Sequence, residues 1–129
     1  MKNKVFLSYA GTDAQFAQRL TLALQAKGIS AVSESDIRPG ENWQEQLRQE
    51  LTAADLVAVI LTDAALHSRF VLAELGAAWA NDKPIFAIQR SAKPDLSELP
   101  LPSNTIQHLQ ADKLSEAAIA EALQQRLAA

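Results

Sequence analysis

An aromatic ring and a carboxylate lie one helical turn apart in the segment SRFVLAELGAAWA, at Phe70 and Glu74. Side chains four residues apart share one face of a helix, so this pair could form a shelf on which a ligand lies. The alternative is a ring packed under the preceding loop beside a solvated carboxylate, a common arrangement in globular proteins. Spacing alone does not decide between the two interpretations.

The rest of the segment predicts where the pair lies on its helix. At about 100° per residue, Phe70, Glu74 and Ala77 fall on the shoulder of an apolar arc, where we expect partial exposure. The residues predicted to face the core are Val71, Leu72, Leu75, Ala78 and Trp79. Ser68 stands near the predicted start of the helix, either as its N-terminal cap or as a substrate contact.

Other side chains with catalytic potential lack the spacing that catalysis needs. Ser8, Ser33 and Ser68 have no G-x-S-x-G elbow, and neither histidine ends a predicted strand. His67 and His108 have no carboxylate or second histidine at metal-ligand spacing, and the chain has no cysteine. We therefore expect no metal site and no disulfide.

Composition bounds the class of protein. The chain has 129 residues, of which 48% are hydrophobic and 21% charged, and we expect one globular domain spanning residues 1–129. There is no apolar run of about 18 residues and no secretory signal in the opening MKNKVFLSY, so we expect a cytoplasmic protein without membrane contact. A net charge of −3 argues against nucleic acid as a partner.

Apolar runs of strand length alternate with helix-period segments, which predicts a parallel sheet covered by helices on both faces. The predicted strands are KVFLSY (4–9), ISAV (29–32), DLVAVIL (55–61), KPIFAI (83–88) and TIQHLQ (105–110). This is the α/β class, as a flavodoxin-like doubly wound sheet of five parallel strands. Ligands bind beyond the C-terminal strand ends of such sheets, here in the loops after Tyr9, Val32 and Leu61.

Three nucleotide- or metal-binding classes with similar topology do not fit those loops. The first loop, SYAGTD, has one glycine where a dinucleotide-binding turn needs G-x-G-x-x-G, and no P-loop motif occurs. A response-regulator receiver could use Asp63 and Lys83-Pro84, but Ser8 and Tyr9 occupy the places of its acidic pair. Without that pair, Mg²⁺ has too few oxygen ligands.

Four segments in order resemble the TIR (Toll/interleukin-1 receptor) domain, and more closely its bacterial branch. VFLSYAGTD resembles the opening strand and box, and DIRPGENW resembles the BB loop of the family. ADLVAVILTDAALHSRFVLAELGAAWA resembles the third strand and the helix with the S-x-W-x-x-x-E motif, and KPIFAI the fourth strand. The similarity covers roughly residues 4 to 90 and implies the TIR fold.

The resemblance implies an NAD⁺ glycohydrolase or ADP-ribosyl cyclase, acting in bacterial antiphage defence or as a toxin. Glu74 is at the position of the family's catalytic glutamate and Ser68 at that of the motif serine, whereas Phe70 replaces the motif tryptophan. Phenylalanine keeps a ring face but loses area and the indole N–H. NAD⁺ would be a substrate, and neither cofactor nor metal is required, because one carboxylate can stabilise the cation that develops on the ribose.

Further substrate contacts follow from the same resemblance. Phe70 and Trp43 offer ring faces to nicotinamide or ribose, and Ser8 and Tyr9 end the first strand beside the site. Backbone N–H groups near a helix start could receive the pyrophosphate, and a BB-loop group could form a lid or a self-association contact. The first group consists of Ala10, Gly11 and Thr12, and the second of Asp36, Arg38, Pro39 and Gly40.

Several alternatives stay open at this level. Trp43 could anchor its helix in the core, Tyr9 could be a packing residue, and Asp36 and Arg38 could be solvated loop charges. The whole domain could be a non-catalytic TIR–TIR adaptor module, or a nucleoside deoxyribosyltransferase of related fold. A separate sensor or effector chain could control it, and the sequence does not predict whether cleavage gives linear or cyclic ADP-ribose.

Overall fold

The computed structural model describes residues 2–37, 40, 42–91, 97, 99 and 101–129. Its strands are β1 (Lys4–Ser8), β2 (Ser30–Val32), β3 (Leu56–Leu61), β4 (Ile85–Gln89) and β5 (Ile106–Gln110). Its helices are α1 (Ala14–Gln25), α2 (Trp43–Ala53), the short α3 (Asp63–Leu66), α4 (Arg69–Ala80) and α5 (Glu116–Ala128). No helix in these ranges is both long enough and apolar enough to cross a membrane.

All five strands are parallel and follow the order β2-β1-β3-β4-β5. The chain runs from β1 outward to β2 and then returns to the other side of β1 to form β3. The direction of winding therefore reverses between β1 and β3, and their C-terminal ends flank a crevice at that point. The predicted five-stranded doubly wound sheet is confirmed.

The core has one layer on each face of the sheet. On one face, α1 and α5 pack through Leu20, Leu24, Ile119 and Leu123, which are fully buried. On the other face, α2 and α4 pack against residues that include Val57 and Leu61. Every residue of β3 is buried, as expected for the central strand of a sheet covered on both faces.

Local backbone geometry and hydrogen bonds stabilise the ends of three helices. α1 ends at Gln25, and the turn after it reaches Gly28, whose φ of 75° is left-handed and favours glycine. Ser68 caps α4, because its hydroxyl accepts the N–H of Val71 at 3.3 Å. The Lys83 ammonium donates to the carbonyls of Thr52 (2.6 Å) and Ala54 (3.0 Å), so it holds the C-terminal end of α2.

The orientation of α4 differs from the sequence prediction. Val71, Leu75 and Ala78 are fully buried as expected, but Leu72 is half-buried and Trp79 is 48% exposed. The buried arc includes Glu74, which is only 4% exposed. At 100° per residue, the centre of the arc lies roughly 50° closer to Glu74 than apolar residues alone predict. The predicted core position of Trp79 and the predicted partial exposure of Glu74 are therefore both wrong.

This orientation predicts unequal costs for truncating two large residues of α4. We expect Leu75→Ala to lower the free energy of unfolding by about 2–5 kcal/mol, because it leaves a cavity in a closed core. Trp79→Ala should lower it by less than Leu75→Ala does, because nearly half of Trp79 is in water and its removal leaves no closed cavity. Urea denaturation of both variants measures the difference, and a larger loss for Trp79→Ala would contradict the orientation.

Candidate active site

A buried hydrogen bond joins the end of β1 to the middle of α4. The Ser8 hydroxyl donates to Glu74 Oε1 at 2.7 Å, and both residues are almost completely removed from solvent. The second carboxylate oxygen, Glu74 Oε2, is buried and has no hydrogen-bond partner among the residues that the structure describes. A buried carboxylate oxygen without a donor is costly, and ionisable groups in such environments are frequent at functional sites.

The protonation of Glu74 follows from this environment. Burial raises its pKa to about 7, since removal from water disfavours the charged form. The hydrogen bond from Ser8 opposes the rise, and the negative charge of Glu34 adds to it. Near neutral pH, the carboxyl group is consequently divided between its charged and neutral forms.

Glu74 lines a cleft of about 280 Å³ beyond the C-terminal end of β1. This is the edge of the sheet at which the sequence predicts ligand binding. The described residues that line the cleft are Leu7, Tyr9, Gly11, Glu34, Ser35, Ser68, Phe70 and Glu74. Five of the predicted site residues therefore meet at one opening: Tyr9, Gly11, Ser68, Phe70 and Glu74. Ser8 lies behind them and contacts the cleft through Glu74.

The two aromatic candidates lie next to each other. The ring of Phe70 is 59% exposed, and its centroid is 6.4 Å from that of Trp43 in an edge-to-face arrangement of 77°. Trp43 is half-buried and lines a separate groove of about 450 Å³ between α2 and α4. Phe70 and Glu74 line both openings, so they form the wall between the cleft and the groove.

Asp36 has a local structural role. Its carboxylate accepts the backbone N–H of Ser33 at 2.8 Å and forms a capping box on the 3₁₀ turn Glu34–Asp36. The Tyr9 hydroxyl is within hydrogen-bond distance of the hydroxyls of Ser33 (3.4 Å) and Ser35 (3.2 Å). Of the other BB-loop residues, Gly40 is exposed, and Arg38 and Pro39 lie outside the described residues.

Ala10, Gly11 and Thr12 are at the start of the 3₁₀ turn Gly11–Asp13 that leads into α1. Ala10 is buried, whereas Gly11 and Thr12 are exposed. Asp13 at the end of this turn accepts a hydrogen bond from the Thr62 hydroxyl at 2.7 Å. The N–H groups of this turn are the predicted pyrophosphate contacts. The Asp13 carboxylate adds negative charge to the turn and therefore disfavours the binding of an anion there.

A family model of the TIR domain matches residues 5–127. The chain belongs to the TIR domain family. Within the described part of this TIR domain, no three His, Asp or Glu side chains gather in a group that could hold a metal ion.

Solved structures share this fold at low sequence identity. The TIR domain of the Toll-related receptor TRR-2 from Hydra magnipapillata is 15% identical with a TM-score of 0.73, over 97% of this chain and 98% of that one. The TIR heterodimer of RPS4 and RRS1 is 15% identical, with a TM-score of 0.65 and coverages of 98% and 96%. The CMP N-glycosidase BcmB of Clostridium botulinum is 20% identical, with a TM-score of 0.63 and coverages of 95% and 99%. A search of curated proteins finds no match.

The cleft of this TIR domain also contains residues that the sequence did not single out. Glu34 and Ser35 follow β2 and line the same cleft as Phe70 and Glu74. The loop after Val32 does contribute to the cleft, as the topology predicts. Its run of polar residues has no periodicity, however, so the sequence does not indicate which of their side chains faces the cleft. The capping box of Ser33 and Asp36 is a detectable signal, since it fixes a turn with Glu34 inside it.

The raised pKa of Glu74 predicts a pH-dependent stability difference between the wild type and Glu74→Gln. Because the folded-state pKa of about 7 exceeds the ordinary value of 4.5, the protonated form favours folding. This stabilisation is complete below about pH 4.5 and is lost as the pH rises through about 7. Between these limits, the free energy of unfolding of the wild type should fall by about 3 kcal/mol relative to that of Glu74→Gln. Denaturation over this pH range, with Glu121→Gln on the exposed face of α5 as control, measures the shift; a constant difference would contradict it.

Proposed function

We propose that this TIR domain, as a bacterial-type member, cleaves the nicotinamide–ribose bond of NAD⁺ as a cytoplasmic effector in antiphage defence or as a toxin. One observation carries the proposal: a buried carboxylate, Glu74, lines the cleft with one oxygen held by Ser8 and the other without a hydrogen-bond partner among the described residues. The ribose hydroxyls of a nucleotide are donors that match such an oxygen.

The chemistry needs little more than this carboxylate. When the bond between ribose C1′ and the nicotinamide nitrogen breaks, its electron pair goes to nitrogen, and nicotinamide leaves as a neutral molecule. The positive charge passes to the ribose as an oxocarbenium-like state, which an ionised Glu74 stabilises. Water then adds to C1′ and releases a proton to give ADP-ribose, or an internal nucleophile adds to give a cyclic product.

The walls of the cleft suggest how the substrate lies. Phe70 presents an exposed ring beside Glu74, so a flat base can stack there while its ribose contacts the carboxylate. Trp43 supports the Phe70 ring through its edge-to-face contact from the neighbouring groove. Ser68 caps α4 and also lines the cleft, so both of its predicted roles are compatible.

The fold supports a reaction at an N-glycosidic bond. The CMP N-glycosidase BcmB has the same fold as this TIR domain along nearly its whole length. The kind of bond that its name describes is the kind that the proposal assigns to NAD⁺. The same likeness is compatible with the alternative of an enzyme that acts on nucleosides or nucleotides other than NAD⁺. CMP is therefore a second substrate to test.

A second candidate function is a non-catalytic interaction module, and the surface of α4 favours it. Phe70 and Trp79 are both large, apolar and exposed there, and exposed aromatic residues are frequent at protein interfaces. The RPS4 and RRS1 TIR domains form a heterodimer. The BB-loop group of Asp36, Arg38, Pro39 and Gly40 remains our proposed self-association contact, and a separate sensor or effector chain would then set when the domain assembles.

Activity on NAD⁺ tests the first function against the second. We expect the wild-type protein to release nicotinamide, and Glu74→Gln to lower the rate by about 100-fold or more, because glutamine cannot carry the stabilising charge. Glu45→Gln, which removes an exposed carboxylate paired with Arg48, serves as control and should retain full activity. Chromatography of NAD⁺ and CMP reactions, run with dilute and with concentrated protein, measures this. Full activity of Glu74→Gln would refute the site, and release of cytosine with NAD⁺ untouched would refute the substrate.

The pH dependence of NAD⁺ cleavage follows from the same residue. Since only ionised Glu74 stabilises the ribosyl cation, kcat/KM should rise with pH and reach half its maximum near the pKa of about 7 of the free protein. A bound cation favours ionisation, so the midpoint of kcat should lie below that of kcat/KM. Initial rates between about pH 5.5 and 8.5 measure both midpoints. A flat profile over this range would show that ionisation of Glu74 does not limit the reaction.

A further inference from the structure

A second carboxylate, that of Glu34, lines the same cleft as Glu74. Glu34 begins the 3₁₀ turn Glu34–Asp36 directly after β2 and is half-buried. The turn is held in place from both sides. Asp36 accepts the N–H of Ser33 at 2.8 Å, and the Tyr9 hydroxyl lies 3.2 Å from that of Ser35. Glu34 is therefore positioned by hydrogen bonds of its neighbours.

The charged side chains among the described residues that line the cleft are all negative. The described lining includes two carboxylates, those of Glu34 and Glu74, and no lysine, arginine or histidine. The remaining polar groups are the hydroxyls of Tyr9, Ser35 and Ser68, which are neutral. Glu74 Oε2 has no hydrogen-bond partner in the described part of the chain and is buried in this wall. The cleft thus combines an excess of negative charge with a buried acceptor that no described residue satisfies.

The two carboxylates interact with each other. The charge of Glu34 is one of the causes that raise the pKa of Glu74, so its field reaches the Glu74 carboxylate. The same field acts on any charge that a ligand brings into the cleft. In a partly desolvated cleft this interaction is stronger than at an open surface, because water screens it less.

We propose that Glu34 determines substrate specificity: its carboxylate selects ribosides with a positively charged base over those with a neutral base. This inference rests on the proposed function and adds a second residue to it. A pyridinium base brings its positive charge into the cleft, and bond cleavage moves that charge to the ribose beside Glu74. The charge remains near both carboxylates throughout, so Glu34 stabilises the bound substrate and the developing ribosyl cation alike. A neutral base gains nothing from Glu34 on binding.

The test compares two ligands that differ by one hydride and therefore in the charge of the nicotinamide ring. The carbocyclic analogue of NAD⁺ resists cleavage, because no ring oxygen can stabilise a ribosyl cation, and its dihydro form has a neutral nicotinamide ring. Their pyrophosphates are identical, so repulsion between Glu34 and the pyrophosphate cancels in the ratio of the two dissociation constants. Calorimetry would measure both ligands with the wild type, Glu34→Gln and the control Glu121→Gln, and NAD⁺ cleavage would be assayed in parallel.

We expect the wild type and Glu121→Gln to bind the charged analogue roughly threefold to tenfold more tightly than the neutral one. Glu34→Gln should lose most of this preference and keep only the part that comes from Glu74, and circular dichroism should show that it is folded. No preference in the wild type, an undiminished preference in Glu34→Gln, or no binding of either analogue at millimolar concentration would overturn the inference. A preference for the charged analogue without NAD⁺ cleavage would refute the proposed function alone, and charge selection by Glu34 would stand.

Discussion

The hydrogen bond from Ser8 to Glu74 links the central part of the sheet to α4, and the geometry of the site depends on it. The bond holds the Glu74 carboxylate within the buried arc of α4. The apolar residues of α4 alone would favour burying a different face of the helix. With Glu74 turned inward, Phe70 projects into solvent beside the cleft, and Trp79 lies at the surface. A rotation of α4 that buried only its apolar residues would bury Trp79 and expose Glu74, and the cleft would lose one of its two carboxylates.

This arrangement carries an energetic cost. One oxygen of Glu74 is hydrogen-bonded and the other has no partner in the described chain, so the ionised group is incompletely satisfied. Burial raises its pKa to about 7, which means that folding is opposed by ionisation at neutral pH. Groups held in an unfavourable state by the surrounding fold are characteristic of functional sites. Layers of buried side chains pack on both faces of the sheet. Their burial stabilises the fold and offsets the cost of burying Glu74.

The fold could be predicted from the sequence, because apolar runs and helical periodicity report which residues are buried. The five strands and the core stripes of α1 and α5 follow this rule. The site could be predicted in part: the C-terminal edge of β1, Phe70 and Glu74 came from topology, helical spacing and resemblance. The burial of Glu74 could not, because hydropathy assigns a carboxylate to solvent and carries no information about Ser8, 66 residues away. Glu34 and the capping role of Asp36 depend on one short turn whose conformation no periodic pattern encodes.

The energetics of Glu74 have a consequence for how such a domain changes over evolutionary time. A neutral residue of similar size at position 74 would relieve the ionisation penalty and leave the five-stranded sheet intact. Loss of the carboxylate is therefore a downhill step for the fold, which, under the proposed function, only selection for the chemistry of Glu74 opposes. Where that selection relaxes, we expect substitutions at position 74 that stabilise the domain and leave the exposed aromatic residues of α4 in place.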